Sequence, residues 1–222
     1  MLVLALDTSS PAVSAALVEL LDGEQRTLAE SVVVDPRRHG ELLAAGIRRV
    51  LGQVRAEQLS AVVSGTGPGP FTGLRVSLVT AAAMADALSV PAYGVCSLDA
   101  VGLSYGPRVV VADARRREVY WASYAGSGAR VDGPSVERPA EVAAHLRAST
   151  SPPLLVGAGA LLHRDAFAGL RIAEDELHPS TPGLVRLAAA RVLGGAPADP
   201  LTPLYLRRPD AAPPGASKPV TA

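Results

Sequence analysis

The sequence predicts a duplicated α/β fold, two lobes each built from a mixed β-sheet flanked by helices. Three observations carry this prediction. Leu2-Val3-Leu4-Ala5-Leu6 runs into Asp7, and Val109-Val110-Val111-Ala112 runs into Asp113; after each aspartate comes a short turn, and a second strand starts six residues on, at Val13 and at Val119. A weaker echo links Val62-Val63-Ser64-Gly65-Thr66-Gly67 with Leu154-Leu155-Val156-Gly157-Ala158-Gly159. Stretches of helical period separate the strands, so one α/β unit used twice is the simplest account.

In chain order, Leu2 to Leu6 and Val13 to Val18 read as strands, and Thr27 to Val33 as a third. His39 to Leu51 is an amphipathic helix with Leu43, Ile47, Val50, Leu51 and Val54 on one face. Ala61-Val62-Val63 is a buried strand, and Leu74 to Leu88 a helix with Thr72 as its N-cap. In the second half, Val109 to Ala112 and Val119 to Tyr124 are strands. Pro139 to Leu146 is a helix opened by proline at its first position. Leu161 to Phe167 and Pro182 to Leu193 complete the helices. The boundary falls near Leu103 to Pro107, giving lobes 1–103 and 104–208. The Pro/Ala-rich remainder, 209–222, reads as a disordered tail.

Composition narrows the function classes. The chain has 222 residues and 48% apolar content, ample for a core. No apolar run approaches the roughly 18 residues of a membrane span, and no basic leader precedes Asp7, so a cytoplasmic protein without membrane contact is expected. Acidic and basic residues balance at 21 each, without the basic excess of a protein that grips nucleic acid unaided. Lys218, in the tail, is the single lysine, which removes a lysine nucleophile from the folded body. Cys96 is the single cysteine and reads as a buried spectator. His39, His145, His163 and His178 show no helical ligand spacing, so no metal site is expected.

The glycine-rich stretch Gly65-Thr66-Gly67-Pro68-Gly69-Pro70-Phe71-Thr72-Gly73 joins a strand to a helix. Such a turn can offer backbone N–H groups to an anion, or its glycines can simply serve a tight turn. It is neither a phosphate loop with lysine before the helix nor a dinucleotide fingerprint. Asp7 and Asp113 likewise read either as turn caps or as functional carboxylates. Arg115, Arg116 and Arg117 read as a solvated hairpin tip or a phosphate contact. Tyr120 and Trp121 pack rather than stack on a base.

Two lobes, each opening with a strand-end aspartate, resemble the actin-like, ribonuclease H-like ATPase fold, in which nucleotide lies between the lobes with both carboxylates near its metal and phosphates. The turn Asp7-Thr8-Ser9-Ser10-Pro11-Ala12 lacks the glycines that hug phosphate in those ATPases. More specifically, Leu4-Ala5-Leu6-Asp7-Thr8-Ser9, Gly67-Pro68-Gly69-Pro70-Phe71-Thr72-Gly73-Leu74-Arg75, Asp113-Ala114-Arg115-Arg116 with Glu118-Val119-Tyr120, and Pro203-Leu204-Tyr205-Leu206-Arg207 resemble the TsaB (YeaZ) family. The resemblance implies a non-catalytic subunit in the synthesis of threonylcarbamoyladenosine beside the tRNA anticodon. It implies pairing with the catalytic paralogue TsaD, joined by the ATPase TsaE, with ATP and divalent metal used by those partners. It further implies contact with tRNA only through the complex, and a possible homodimer in isolation. The catalytic paralogue holds metal with a histidine pair on a helix; here the matching helix offers only His39. Asp7, Thr8, Ser9, Gly67, Gly69, Thr72, Gly73 and Asp113 would then mark a vestigial nucleotide-type cleft.

Helix 74–88 is apolar on two sides, one stripe being Leu74, Leu78, Ala81, Ala85 and Leu88 and the other Val76, Val79, Ala83 and Ala87. One stripe covers the lobe's own sheet and the other needs a partner. The resemblance implies a four-helix contact with TsaD, to which Val76, Val79 and Ala83, with Leu43, Ile47 and Val50, are assigned. The competing readings are a nucleotide-dependent enzyme using Asp7, Asp113 and the loop around Gly67, and a peptidase, for which no nucleophile with a histidine base is evident.

Overall fold

Two sheets of matching strand order carry the fold. The computed structural model describes residues 1–21, 24–149 and 153–207; the expected tail, 209–222, lies outside the described residues. The first sheet contains β1 (Leu2–Asp7), β2 (Ala12–Leu21), β3 (Glu24–Val34), β4 (Leu59–Gly65) and β5 (Ala92–Val95), ordered β3-β2-β1-β4-β5. Helix α1 (His39–Leu51) lies between β3 and β4, and α2 (Phe71–Leu88) between β4 and β5. The second sheet contains β6 (Arg108–Asp113), β7 (Val119–Tyr124), β8 (Arg130–Glu137) and β9 (Leu154–Val156), ordered β8-β7-β6-β9. Helices α3 (Pro139–Arg147), α4 (Ala158–Leu162) and α5 (Thr181–Leu193) complete the chain.

The duplication seen in the sequence is a duplication of topology. In each sheet the opening strand pairs antiparallel with the next and parallel with the fourth. Asp7 sits opposite Ser14 and Asp113 opposite Val119, at matching strand ends. A parallel bridge between Leu155 and Ile172 stands where β5 stands in the first sheet. β1 is covered on both faces, so it is continuously apolar rather than alternating. Val3 and Ala5 enter one core cluster, and Leu4 and Leu6 enter the other.

Helix α5, expected in the second lobe, packs instead on the first sheet, burying Leu184, Val185, Ala188 and Val192 against Val3, Ala5, Ala16 and Val18. Without it that apolar sheet face would meet water. The range 104–208 therefore does not fold as one layer system. The second sheet packs α3 on one face through Val142, Ala143 and Leu146. On its other face Val110 and Ala122 meet Leu98 and Val101, with Leu204 and Leu206 alongside. Tyr120 and Trp121 are buried in these cores.

The segment 196–207 runs as an extended strap. Asp199 N–H donates to the Ala92 carbonyl at 2.9 Å and Leu204 N–H to that of Thr66 at 2.8 Å. At its far end the Arg207 guanidinium donates to the Ala114 carbonyl at 2.8 Å and pairs with Glu118 at 2.7 Å. The strap thus begins on the first sheet's β5 edge and ends on the β6–β7 turn of the second.

Three expectations are corrected. Leu43, Ile47 and Val50 are buried in the lobe's own core, at 1%, 8% and 2% exposure, and offer nothing to a partner. Amphipathicity shows that this arc is covered, and the cover is the first sheet. Helix α2 begins at Phe71, with Pro70 as its N-cap and no side-chain cap, so Thr72 lies within the first turn. Proline holds the extended φ that the N-cap position needs. Finally, α2 spans 18 residues with mean hydropathy 1.3, long and apolar enough by length and composition to cross a membrane. Here it lies against the first sheet through Leu74, Leu78, Ala81 and Ala85. Val76 is half-buried, whereas Val79 and Ala83 are exposed.

Candidate functional site: the cleft between the lobes

A cleft of about 580 Å³ opens between the two sheets. Its wall is largely apolar, from Pro68, Val76, Leu98, Val101 and Val110, with Arg37 and Arg115 on opposite lobes. Ser9, Thr72, Gly73 and Asp113 line it. Asp7, Thr8, Gly67 and Gly69 do not; they form the layer behind. His39 and His178, which only the fold brings here, line the same space.

The layer behind the cleft is a lock between the β1–β2 turn and the glycine loop. Asp7 is 1% exposed. Its Oδ1 accepts from the Ser9 N–H at 2.9 Å and the Ser9 hydroxyl at 2.7 Å, and its Oδ2 accepts from the Ser97 hydroxyl at 2.6 Å. Ser97 Oγ in turn accepts from the Gly67 N–H at 3.0 Å, and the Ser97 N–H donates to the Gly67 carbonyl at 2.8 Å. Thr8 donates to the Gly73 carbonyl at 2.6 Å and accepts from the Ser77 N–H at 3.0 Å. The loop's glycines permit contact distances that a side chain would forbid. A Cβ on Gly65 would lie 1.8 Å from Asp7 Oδ2, and one on Gly69 would lie 2.2 Å from the Ser9 carbonyl oxygen. The tight-turn reading of the loop therefore describes Gly65 and Gly69, whereas an anion cradle would need Gly67's N–H free.

Burial pushes the Asp7 carboxyl above its ordinary value of 3.8, opposed by the hydrogen bonds from Ser97 and Ser9. A raised folded pKa means that stability is fully present below the unfolded value and falls as pH climbs through the folded one. Asp7→Asn, nearly isosteric, removes this dependence. In thermal melts from acid to neutral pH, the wild-type advantage over Asp7→Asn should shrink with rising pH and level off above the folded pKa; an advantage that grows with pH would refute the sign.

Asp113 has a different fate. It lines the cleft half-buried, accepting from the Arg115 N–H at 2.9 Å, with Arg115 Nε at 3.9 Å and His163 Nε2 at 4.0 Å. His39 Nε2 lies 3.0 Å from the Ser10 carbonyl; a carbonyl only accepts, so that nitrogen carries the hydrogen. Burial lowers the His178 pKa. Burial likewise pushes the Cys96 thiol up to about 12, which makes it inert as a nucleophile.

Comparison with known proteins follows the same lines. The family model described as "TsaD: tRNA N6-adenosine threonylcarbamoyltransferase" matches residues 30–156. The structure of YeaZ from Pseudomonas aeruginosa superposes with a TM-score of 0.76 at 29% identity, covering 92% of this chain and 99% of that one. The chain belongs to the TsaB/YeaZ family. An uncharacterized protein of Mycobacterium tuberculosis is 47% identical over 214 residues, 95% of this chain and 94% of its own length. A protein of Escherichia coli named "tRNA threonylcarbamoyladenosine biosynthesis protein TsaB" is 33% identical over 132 residues, 56% of this chain and 55% of its own.

The actin-like fold of the TsaB/YeaZ family raises the question of a metal-bound nucleotide in the cleft. The residues here do not fit one held in the superfamily's manner. Asp7 is turned into the protein and spent on three hydrogen bonds. Asp113 alone remains at the cleft, and no three His, Cys, Asp or Glu side chains come together among the described residues. The hydroxyls of Ser9 and Ser97 donate to Asp7 rather than to a histidine base, so they lack the activation that a peptidase requires.

Proposed function

We propose that this chain is a non-catalytic scaffolding subunit in the synthesis of threonylcarbamoyladenosine in tRNA, pairing with a TsaD-type catalytic paralogue. The observation that carries this reading is the internal commitment of Asp7, the residue that an actin-like enzyme would present to its nucleotide. The names of the TsaB relatives support the pathway. TsaE joins the pair, ATP and divalent metal belong to the partners, and this subunit requires no cofactor. Its contact with TsaD lies on the exposed side of α2 around Val79 and Ala83. The setting is cytoplasmic.

The purified chain should neither hydrolyse ATP on titration with magnesium nor transfer threonylcarbamoyl to tRNA. Addition of TsaD, TsaE and the enzyme that supplies threonylcarbamoyl-adenylate should yield modified tRNA, and omission of this chain should abolish it. Robust turnover by the chain alone would instead support the nucleotide-dependent enzyme reading.

A further inference from the structure

The β6–β7 turn places three consecutive non-glycine residues in the left-handed region: Arg115 at φ 63°, Arg116 at 52° and Arg117 at 63°. Each such residue costs the chain stability that glycine would not. The neighbouring β7–β8 turn uses Gly128, at φ 84°, for its left-handed position. The fold therefore has the cheaper solution available one hairpin away, yet here it carries three exposed guanidinium side chains. Strain of this kind persists where the surroundings over-determine it. Ala114 N–H donates to the Glu118 carbonyl and Glu118 N–H to that of Arg115, both at 3.0 Å. Arg115 N–H is held by Asp113, and Arg207 of the strap clamps Ala114 and Glu118.

The local charge balance is also distinctive. Glu118 is taken by Arg207 and Glu174 by Arg164. Asp113 approaches Arg115 only to 3.9 Å. Across the cleft mouth, exposed Arg37 has no ion pair among the described residues, its N–H being held by Asp35. A chain of zero net charge thus holds exposed Arg115 and Arg117 on a rigid turn, the former beside Asp113, and exposed Arg37 across the cleft.

We propose that Arg115 and Arg117, with Arg37 opposite, form a docking rim for the phosphodiester backbone of tRNA, so that this subunit touches RNA directly. The proposal rests on the tRNA-modifying reading above. Arginine suits it because a fixed guanidinium fork matches phosphate oxygens. A turn already held in place gives up little freedom on binding.

The test uses the complex of this chain with TsaD, and fluorescence anisotropy of a labelled substrate tRNA over a salt series. Replacing Arg37, Arg115 and Arg117 by Gln should weaken binding about tenfold or more, and should flatten the slope of log K against log salt by about two, the loss of roughly three phosphate contacts. A control with Arg26, Arg138 and Arg171 replaced by Gln changes net charge equally and should bind nearly as wild type. Arg117→Gly separates function from structure: it should raise the melting temperature by relieving left-handed strain while lowering tRNA affinity. Unchanged affinity and slope in an intact complex overturn the rim, as does loss of TsaD pairing in the triple variant, which would make the rim a protein contact. A fall in melting temperature for Arg117→Gly also counts against it. If the wild-type reconstituted system fails to modify tRNA at all, it is the scaffold reading that falls.

Discussion

Ala83→Arg should abolish association with a TsaD-type partner while leaving the monomer folded. Ala83 and Val79 lie on the exposed side of α2, and Val79 is 60% exposed, an apolar side chain left in water by its own lobe. The buried set of that helix is Gly73, Leu74, Ser77, Leu78, Ala81 and Ala85. A guanidinium at 83 meets only solvent in the free chain, so stability should change by no more than about 0.5 kcal/mol. In a closed helix-to-helix contact the same charge would be desolvated without a partner, at a cost of roughly 3–5 kcal/mol. Every 1.4 kcal/mol is about a factor of ten in affinity, so size-exclusion and calorimetric titration should show no complex. Circular dichroism should remain native. Leu43→Ala supplies the contrast: it should destabilise the monomer by about 2–5 kcal/mol, as expected of a filled core site. Normal pairing by Ala83→Arg would move the interface elsewhere.

Gly65→Ala should be strongly destabilising. The added carbon would stand 1.8 Å from Asp7 Oδ2 and 2.4 Å from Ser97 Oγ, so the carboxylate and its Ser97 hydrogen bond cannot both keep their places. A buried carboxylate that loses a donor costs several kcal/mol. We expect a loss of roughly 4 kcal/mol, which for a chain of this size is a fall of about 10 °C in melting temperature. Asp7→Ala in the same background should recover part of that loss, because the two changes share one contact and are not additive. Full additivity would show that the lock does not couple β1 to the glycine loop.

Sequence patterning revealed what is local. The spacing from each aspartate to the next strand placed both β-hairpins, and the apolar arc of α1 gave its bounds as His39 to Leu51, as found. Strand β8 escaped because Arg130 to Glu137 forms a sheet edge, and Gly133 and Pro134 break its alternation. β5 is only four residues long. The placement of α5 depends on contacts with β1 and β2, more than 150 residues earlier in the chain, that no window of sequence contains. For the site, the residue types were legible and their directions were not. Asp7 and Asp113 occupy equivalent strand ends, yet Ser97, far off in sequence, turns one inward, while the other stays at the cleft. The same limit applies to Leu43, Ile47 and Val50: periodicity marks a face as covered without saying whether by the chain itself or by another.

The return of α5 to the first sheet also bears on how the chain matures. During synthesis β1 to β5 emerge first, but the sheet face formed by Val3, Ala5, Ala16 and Val18 has no cover until Thr181 to Leu193 has left the ribosome. The N-terminal half is thus not a separate folding unit, and the usual order in which the first-made part folds first does not hold for it. Until then a broad apolar surface is open to aggregation or to chaperone capture. Closure of the first core therefore waits for a helix that is made only after every strand of the second sheet.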